Sequence, residues 1–361
     1  MTKFGLIILL LPLIGQFYAS WRVWHILPAP TWVKVISVVL MALALACLVL
    51  NFMLRSEGIP LWISQCIYEI GTSWPIILLY MVMLFAVIDL GRFLHIISNG
   101  FAINSLAGTV TVATVLIAVF TYGNIHYQNK VRQPLQLHSQ GKVSKPMKVV
   151  LMSDLHLGYH NRRADFAKWV NMINAENPDL ILIAGDIIDF TVDPLLREDM
   201  ASEWRRLKAP IYTCMGNHEY FSQESKASQF FMDAGIHLLQ DSVVVIDDLC
   251  LIGRDDASNR HRMPLDRLMA KADSTKYTIL LDHQPHKLEQ AEKAGINFQF
   301  SGHTHHGQVW PISWITEKIY EVAYGAWTRG NTVYYVSSGI GIWGGKFRIG
   351  TRSEYIVATI K

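Results

Sequence analysis

The chain has 361 residues, of which 51% are hydrophobic and only 17% are charged, and its mean hydropathy is +0.23. These values exclude a single ordinary soluble domain and indicate that part of the chain lies in lipid. The formal net charge of +3 comes without a long basic run, so no nucleic acid is predicted as a partner. The four cysteines show no CxxC spacing, which argues against a zinc or redox pair and favours reduced thiols in a cytoplasm.

The excess of apolar residues is confined to the first third of the chain, where residues 1–125 are predicted to form a four-helix transmembrane domain. Each of four apolar stretches is close to the roughly 20 residues that a membrane-spanning helix needs. The stretches are residues 4–19, 32–54, 74–90 and 103–122. The first contains Pro12 and Gln16 and could instead be a secretory signal peptide, but residues 17–20 lack the alternating small side chains of a cleavage site. Tryptophans at the ends of the stretches favour membrane spans over buried core helices.

The cations that flank these stretches predict the orientation of the chain, because lysine and arginine in short loops tend to stay on the cytoplasmic side. One side has Arg22, Lys34 and Arg92, and the other has Lys3, Arg55, Lys130, Arg132, Lys142, Lys145 and Lys148. With four spans both termini share the more basic face, so the soluble half is predicted to be cytoplasmic. Residues 126–146 are predicted to be a basic linker, which either lies along anionic lipid headgroups or is a plain solvated tether.

From Met147 onward short apolar runs alternate with amphipathic helical patterns, which indicates an α/β domain over residues 147–361. Five of the apolar runs end in polar segments: SDLH at 153–156, GDIID at 185–189, GNHE at 216–219, DHQP at 282–285 and GHTH at 302–305. Open α/β sheets place their sites at the carboxyl ends of strands, so these segments are expected to converge. The runs 333–338 and 354–360 indicate further strands, so two sheets are predicted.

The donor atoms in these segments are carboxylates, imidazoles and one amide oxygen, without a thiolate. This set suits hard or borderline divalent ions such as manganese, iron, zinc or cobalt. Any one of these residues alone would usually be structural, but their number exceeds the needs of one ion. We therefore predict two divalent metal ions, with manganese preferred, and a shared hydroxide that attacks a phosphoester.

The ordered set DxH, GDxxD, GNHE, a histidine before Gln-Pro, and GHTH resembles the calcineurin-like metallophosphoesterase superfamily over residues 147–361. The last motif and the Ser-Ser-Gly turn at residues 337–339 are similar to a bacterial membrane-associated subgroup whose motif reads GHTHGGQ. The resemblance implies a four-layer α/β/β/α sandwich with a dinuclear centre. It also implies a multi-pass protein of the bacterial inner membrane.

The resemblance assigns seven metal ligands, of which Asp186 is shared between the two ions. The first ion would be held by Asp154, His156 and His305, and the second by Asn217, His283 and His303. His218 would lie beside the scissile phosphate, where it stabilises developing charge or protonates the leaving oxygen, with Glu219 orienting it. The resemblance thus gives His218, Asp186 and Asn217 as the catalytic residues.

Several further residues near these motifs have open roles. His306 stands where the subgroup has a glycine, and it either contacts substrate or points outward, which is favoured because the ligand set is already complete. Asp189 and Asp282 are expected to be structural. Each of three loop arginines either grips a phosphate or is an ordinary surface residue. These are Arg162, Arg163 and Arg254.

The segment 309–347 is unusually rich in aromatic residues, with lysine and arginine interspersed. Such a surface suits a membrane interface, although an ordinary core with a few exposed rings is the alternative. If the segment borders the metal site, the predicted substrate is a phospholipid or a lipid-linked phosphate such as UDP-diacylglucosamine, and membrane lipids are the partners. Two other hypotheses are a phosphodiesterase for a soluble substrate with the helices as anchor only, and a non-catalytic membrane sensor or scaffold.

Overall fold

The structure is a computed structural model that describes residues 3–53 and 58–361, with side chains from residue 11 onward except that of residue 52. Leu54 and Arg55, which belong to the second predicted span and to the predicted charge asymmetry, lie outside the described residues, as does the side chain of Lys3. The chain divides into two compact units. The helical unit comprises Met1–Asn124 and Gly344–Lys346, and the sheet unit comprises Ile125–Trp343 and Phe347–Lys361.

Among the described residues of the N-terminal part there are five helices. They are α1 Lys3–Ile26, α2 Thr31–Met53, α3 Leu61–Phe93, α4 Asn99–Ala102 and α5 Leu106–Gln128. Within the described part of the chain, three helices are long and apolar enough to cross a membrane, namely α2, α3 and α5. The first predicted span, residues 4–19, lies within α1, and its membrane crossing stays a prediction.

Helix α3 begins at Leu61, well before the predicted start at residue 74. Gln65 and Glu69 lower the local hydropathy, but they do not interrupt the helix, because a helix in or near lipid satisfies its own backbone hydrogen bonds. The helical unit buries a modest apolar core that includes Phe85 and Ile88, whereas many of its large apolar side chains, such as Leu40, are exposed. Lipid would cover such side chains.

One polar group of the helical unit is buried beside a partner of opposite charge. The side chain of Arg22 is 1% exposed, and its Nε atom lies 3.4 Å from an oxygen of Asp89. Asp89 also accepts a hydrogen bond of 2.6 Å from the hydroxyl of Tyr18 and lies 3.2 Å from a nitrogen of Arg92. The Asp89 carboxylate therefore has its countercharge within the chain.

The sheet unit contains two six-stranded sheets. The first has the order β1-β12-β2-β3-β4-β5, with strands β1 Lys130–Leu137, β12 Ser353–Ile360, β2 Met147–Met152, β3 Leu180–Ile183, β4 Ile211–Thr213 and β5 Ile236–Leu238. The second has the order β10-β11-β9-β8-β7-β6, with strands β10 Gly325–Arg329, β11 Thr332–Val336, β9 Phe298–Ser301, β8 Tyr277–Leu281, β7 Leu249–Gly253 and β6 Ser242–Ile246. The two predicted sheets are confirmed.

Helices of the sheet unit connect these strands. They are α6 Arg163–Ala175, α7 Asp193–Arg197, α8 Met200–Trp204, α9 Asn217–Phe221, α10 Glu224–Ala234, α11 Leu265–Met269, α12 Glu289–Lys293 and α13 Ile312–Ile319, with a 3₁₀ turn at His305–Gly307. Helix α6 buries Phe166, Trp169, Val170 and Ile173, the periodic apolar positions that indicate an amphipathic helix in the sequence.

Alternating side chains of the central strands point into different hydrophobic cores. In β2, Val149 and Leu151 belong to a core that also contains residues of β7, β8 and β9, so this core lies between the two sheets. Val150 and Met152 point the other way, into a core shared with α6, α8 and α10. Because side chains of a strand alternate between its faces, the continuous apolar run of β2 is the expected sequence of a strand buried on both sides.

The predicted linker at residues 126–146 differs from the structure. Residues 126–128 complete α5, and Lys130–Leu137 forms β1, which pairs in parallel with β12 over its whole length. Pro134 suggested a linker, but β1 is an edge strand, where a proline that cannot donate a hydrogen bond is tolerated. The part of this segment up to Leu137 therefore belongs to the sheet, and residues 138–146 connect β1 to β2.

Candidate metal centre

All seven predicted ligands lie just beyond the carboxyl ends of parallel strands. Asp154 and His156 follow β2, Asp186 follows β3 and Asn217 follows β4, which are neighbours in the first sheet. His283 follows β8, and the GHTH segment follows β9, which are neighbours in the second sheet. Parallel strands bring these ends to one edge, so residues distant in the chain meet there.

The backbone at these positions is in an unusual conformation. Five of the seven ligands have positive φ angles between 45° and 70°: Asp154, His156, Asp186, His303 and His305. A positive φ is uncommon for residues other than glycine, and such strain is retained mainly where the surrounding structure holds it for a functional reason.

Two glycines of the motifs are required by close approach of the ligands. A Cβ atom on Gly216 would lie 2.2 Å from an oxygen of Asp186, and one on Gly302 would lie 2.3 Å from an oxygen of Asp154. Either contact is far inside van der Waals distance. The glycines that open the GNHE and GHTH motifs therefore leave room for the two carboxylates.

The first group of potential ligands consists of Asp154, His156 and His305, whose ligand atoms all lie within 4.8 Å of one another. The Nε2 atoms of His156 and His305 face each other at 3.0 Å, and His305 Nε2 is 3.5 Å from an oxygen of Asp154. His156 turns its other nitrogen, Nδ1, to Asp189 Oδ1 at 3.2 Å. This leaves Nε2 of His156 as the nitrogen that faces the group.

The second group consists of Asn217, His283 and His303. Asn217 Oδ1 lies 3.1 Å from His283 Nε2 and 2.8 Å from His303 Nδ1. His283 Nδ1 is 2.7 Å from the carbonyl oxygen of Ala184, so it donates its proton there and leaves Nε2 as an acceptor. Metal-bound histidines typically donate their second nitrogen to a carbonyl or carboxylate in this way.

Asp186 lies between the two groups. Its Oδ2 atom is 3.2 Å from His283 Nε2 and 3.6 Å from His156 Nε2. Its Oδ1 atom accepts the backbone N–H of His218 at 3.0 Å, which fixes the carboxylate. One oxygen of Asp186 is thus close to a nitrogen of each group, as a bridging ligand requires.

The donor set fits divalent cations. When the His283 ring is neutral and Nδ1 donates to a carbonyl, its Nε2 lone pair faces two further acceptors, the oxygens of Asn217 and Asp186. These lone pairs repel one another, but each of them would be attracted to a cation bound between them. Such an arrangement is expected of a metal site. Burial opposes the charge of His283, but the neighbouring Asp186 carboxylate raises the pKa of His283 well above its usual value. The position therefore favours positive charge.

Two further histidines of the groups, His303 and His305, are held neutral. Burial lowers the pKa of His303 to about 4, with a further contribution from His283. Burial, together with the neighbouring His156, lowers the pKa of His305 well below its usual value. A neutral imidazole has a lone pair, so both side chains are ready to bind a metal ion.

His218 lies at the side of the first group. The His218 and His156 rings are perpendicular, with their centroids 4.5 Å apart. The Nδ1 atom of His218 contacts the carbonyl oxygen of Asp189. Glu219 is predicted to orient His218, but its carboxylate instead accepts the backbone N–H groups of residues 186, 187, 188 and 216. Glu219 therefore holds together the loops that carry Asp186 and Asn217, and Asp189 takes the orienting contact.

Asp189 has more contacts with the centre than its expected structural role implies. Besides binding His156 through Oδ1, this oxygen is 3.6 Å from His218 Nδ1, so the three side chains form a further group within 4.8 Å. Asp189 is the second aspartate of the GDxxD motif, and this is the feature of the sequence that could have indicated its contact with the centre. Asp282, in contrast, pairs with Arg254 and Arg262 at 3.3 and 3.1 Å, as expected of a structural carboxylate.

Arg348 is a residue that the sequence motifs do not reveal. Its fully buried guanidinium donates to the carbonyl oxygens of His305, Ser338 and Gly341. Burial lowers the pKa of Arg348 to about 10, although the nearby Asp154 opposes this effect. Arg348 ties the GHTH segment to the turn at residues 337–341, which packs behind Asp154.

The other residues with alternative predicted roles lie outside the two groups of potential ligands. His306 has a φ of 50°, a conformation that suits glycine, and its ring stacks on Tyr324 and binds Glu317 at 2.9 Å. The backbone N–H of Arg163 donates to the Glu198 carboxylate, and its guanidinium pairs with Glu203. The guanidinium of Arg254 pairs with Asp282. Arg162 donates to the carbonyl oxygen of residue 159.

Two rings of apolar character border the centre. Phe221 is 58% exposed, and its ring contacts that of His218 at 5.1 Å. Tyr320 contacts the ring of His303 at 6.2 Å and stacks on His286 at 5.1 Å. Tyr320 follows α13 directly, so the aromatic segment singled out in the sequence does border the metal centre.

Comparisons with known proteins bear on this site. The profile described as calcineurin-like phosphoesterase matches residues 147–307. A Danio rerio protein named "Transmembrane protein with metallophosphoesterase domain" is 27% identical over 353 residues, which cover 90% of this chain and 80% of that protein. A Helicobacter pylori metallophosphoesterase is 31% identical over 59% of this chain, and the chain spans 59% of its length.

A metallophosphoesterase of Bacillus subtilis is 31% identical over 238 residues, which cover 59% of this chain and 79% of that protein. The relatives come from bacteria and from animals, so they do not single out the bacterial GHTHGGQ subgroup. The family profile and the motif residues agree in their location in the sheet unit. The chain belongs to the calcineurin-like metallophosphoesterase family.

Proposed function

We propose that the chain is a membrane-anchored metallophosphoesterase that uses two divalent metal ions, with manganese as the preferred ion. Asp154, His156 and His305 would hold one ion, Asn217, His283 and His303 the other, and Asp186 both. The observation that carries this proposal is the position of the Asp186 carboxylate, with one oxygen 3.2 Å and 3.6 Å from a nitrogen of each group.

Two bound ions would lower the pKa of a water molecule between them and neutralise the charge of the phosphoryl group. The chain itself would position these components. Glu219 holds the loops of Asp186 and Asn217 together through four backbone N–H groups. The Asp189 carbonyl would accept the Nδ1 proton of His218 and so turn Nε2 toward the substrate. When the ring is an imidazolium, Nε2 would also carry a proton, which it would donate to the leaving oxygen.

We further propose that the substrate is a lipid or a lipid-linked phosphoester or pyrophosphate. Phe221 and Tyr320 support this, because their rings adjoin His218 and His303 at the border of the centre. The exposed ring of Phe221 and the half-buried ring of Tyr320 favour a substrate whose phosphate is attached to an apolar group. A small, highly polar substrate would leave these rings unused.

The location proposed for the protein is a cell membrane. Residues 1–125 would form a four-span domain, and residues 147–361 together with β1 would form the catalytic domain, which would lie in the cytoplasm. Helices α2, α3 and α5 support three of the spans. For the catalytic domain we propose the four-layer α/β/β/α arrangement, which the core between the sheets and the cores beneath the helices support.

The test is hydrolysis of bis-p-nitrophenyl phosphate and of UDP-diacylglucosamine by the detergent-purified chain with added Mn²⁺. We expect metal-dependent turnover that falls about 10²- to 10⁴-fold in His218→Ala, the range typical of a lost general acid. Asn217→Ala should lose both turnover and bound metal. His237→Ala, at an exposed position on β5, serves as the matched control.

Turnover that needs no metal ion, or that is equal in His218→Ala and His237→Ala, would contradict the proposed chemistry. A higher kcat/KM for the lipid-linked substrate supports the lipid proposal. An equal or lower kcat/KM for that substrate would count against a lipid and favour a soluble phosphodiester.

A further inference from the structure

The helix that follows the GHTH segment exposes an unusual amount of apolar surface. Within ten residues, Trp310, Trp314, Ile315 and Ile319 are 39%, 56%, 56% and 63% exposed, and Ile312 is 37% exposed. Ile312, Ile315 and Ile319 recur at intervals of three and four residues, so they share one face of α13. We call these five side chains the α13 surface. A concentration of exposed apolar side chains of this kind usually marks an interaction site.

The α13 surface is fixed to the metal centre on both sides. The helix begins five residues beyond Gly307, the end of the 3₁₀ turn that contains His305, and it ends one residue before Tyr320, whose ring contacts that of His303. Glu317, on another side of the helix, binds His306 at 2.9 Å. Whatever covers the α13 surface is therefore held next to the candidate catalytic groups.

The chain itself indicates which partner is available. Helix α5 is a candidate membrane span that ends at Gln128, and β1 begins at Lys130, so a single residue separates a span from the first strand of the sheet unit. The start of β1 is consequently held within several ångström of the end of this candidate span. Tryptophan prefers the headgroup layer of a bilayer, and the exposed Lys318 beside the apolar face complements anionic headgroups.

We infer that the α13 surface inserts into the interfacial layer of the bilayer, with Ile312, Ile315 and Ile319 among the upper acyl chains. This inference rests on the membrane attachment put forward above and adds a second, monotopic contact to the spans. Interfacial amphipathic helices bury their apolar face roughly 5–10 Å into the boundary between headgroups and acyl chains. The contact places the metal centre at the level of lipid phosphates.

The inference is tested with the full chain in vesicles of three parts phosphatidylcholine and one part phosphatidylglycerol. A fluorescent NBD label is placed on Ile315→Cys in a background in which Cys47 and Cys66 are serine, because Cys214 and Cys250 are buried. The matched control is Met232→Cys on α10, which is 69% exposed but remote from α13 in the sequence. The native Cys66, exposed on α3, reports on insertion of the span when labelled alone.

Spin-labelled 5-doxyl phosphatidylcholine should quench the label at 315 at least threefold more than the label at 232, with a blue-shifted emission at 315. Equal quenching at 315 and 232, or none at 315 while the label on Cys66 is quenched, would overturn the inference. A blue shift at 315 without lipid quenching would mean that protein, such as a second copy of the chain, covers the α13 surface, which also overturns it.

The same vesicles separate this inference from the proposed function. An unquenched label on Cys66 would contradict the membrane attachment and, with it, the inference. Turnover of bis-p-nitrophenyl phosphate is measured in parallel, and its absence would count against the proposed hydrolysis alone, since quenching at 315 does not depend on catalysis.

Discussion

Two aspartates in different units, Asp89 and Asp186, are stabilised in opposite ways. Asp89 in the helical unit has Arg22 and Arg92 within 3.4 Å and accepts a hydrogen bond from Tyr18. Asp186 in the sheet unit is 2% exposed and faces two imidazole nitrogens instead of an arginine or lysine. A carboxylate that is partly or fully withdrawn from water, as Asp89 and Asp186 are, needs a countercharge. Asp89 has its countercharge within the chain, whereas Asp186 is arranged to receive one from outside.

In the protein alone, histidines supply part of the positive charge that Asp186 needs. Burial alone would raise the pKa of Asp186, but His283 and His218 lower it well below its usual value. Burial raises the pKa of the neighbouring Asp154. The two carboxylates thus compete for limited positive charge in the protein alone, which a divalent cation would supply to both.

The largest effect is expected from Asp186→Asn, which tests whether Asp186 needs a bound cation. Removing the shared negative charge should abolish turnover of bis-p-nitrophenyl phosphate and lower the bound metal below two ions per chain, because one carboxylate serves both groups. Metal content by inductively coupled plasma mass spectrometry and turnover are measured on the same sample. Added Mn²⁺ should raise the melting temperature of the wild-type chain but not that of the variant. Retention of two ions and of turnover would contradict the bridging role.

An intermediate effect is expected from Asp189→Asn. The amide cannot hold the proton on His156 Nδ1 as the carboxylate does, so Mn²⁺ affinity should fall about 10- to 100-fold, the usual effect of an altered outer-shell partner. Titration calorimetry gives the affinity, and saturating Mn²⁺ should restore part of the turnover. If only the leaving-group dependence of turnover changed, with metal affinity unaltered, Asp189 would act through His218 and not through His156.

The smallest effect on chemistry is expected from Asp89→Asn. The substitution leaves Arg22 buried without its countercharge. Because Asp89 is 31% exposed, the helical unit should be destabilised by less than the roughly 3–5 kcal/mol of a fully buried pair. The melting temperature in detergent should fall, while metal content and turnover per folded chain stay unchanged. A loss of bound metal in Asp89→Asn would show that the two carboxylates are not independent.

Much of the site could be predicted because it follows from local sequence. Each ligand stands directly after an apolar strand, so the strand pattern alone locates Asp154, Asp186 and Asn217 at one edge of a sheet. The glycines of GNHE and GHTH are also local signals, since they leave room for the carboxylates. These features need no information on how distant parts of the chain pack.

Other features depend on long-range packing and were missed. The role of Arg348 arises because its guanidinium reaches carbonyl oxygens of residues 305, 338 and 341, which no spacing rule connects. The orienting contact of His218 comes from a backbone carbonyl, which every residue has, so the sequence could not identify it. Strand β1 is polar on its exposed side and contains Pro134, so composition indicated a linker where pairing with β12 makes a strand.

The place of β12 in the first sheet has a consequence for biosynthesis. Strand β12 lies between β1 and β2, pairing in parallel with the former and antiparallel with the latter. During translation, β1 must therefore wait without its partner until residues 353–360 have left the ribosome, while the preceding helices are already available for insertion. A nascent chain that stalls before this point would expose the unpaired edges of both β1 and β2, which invites aggregation at the membrane where it is being made.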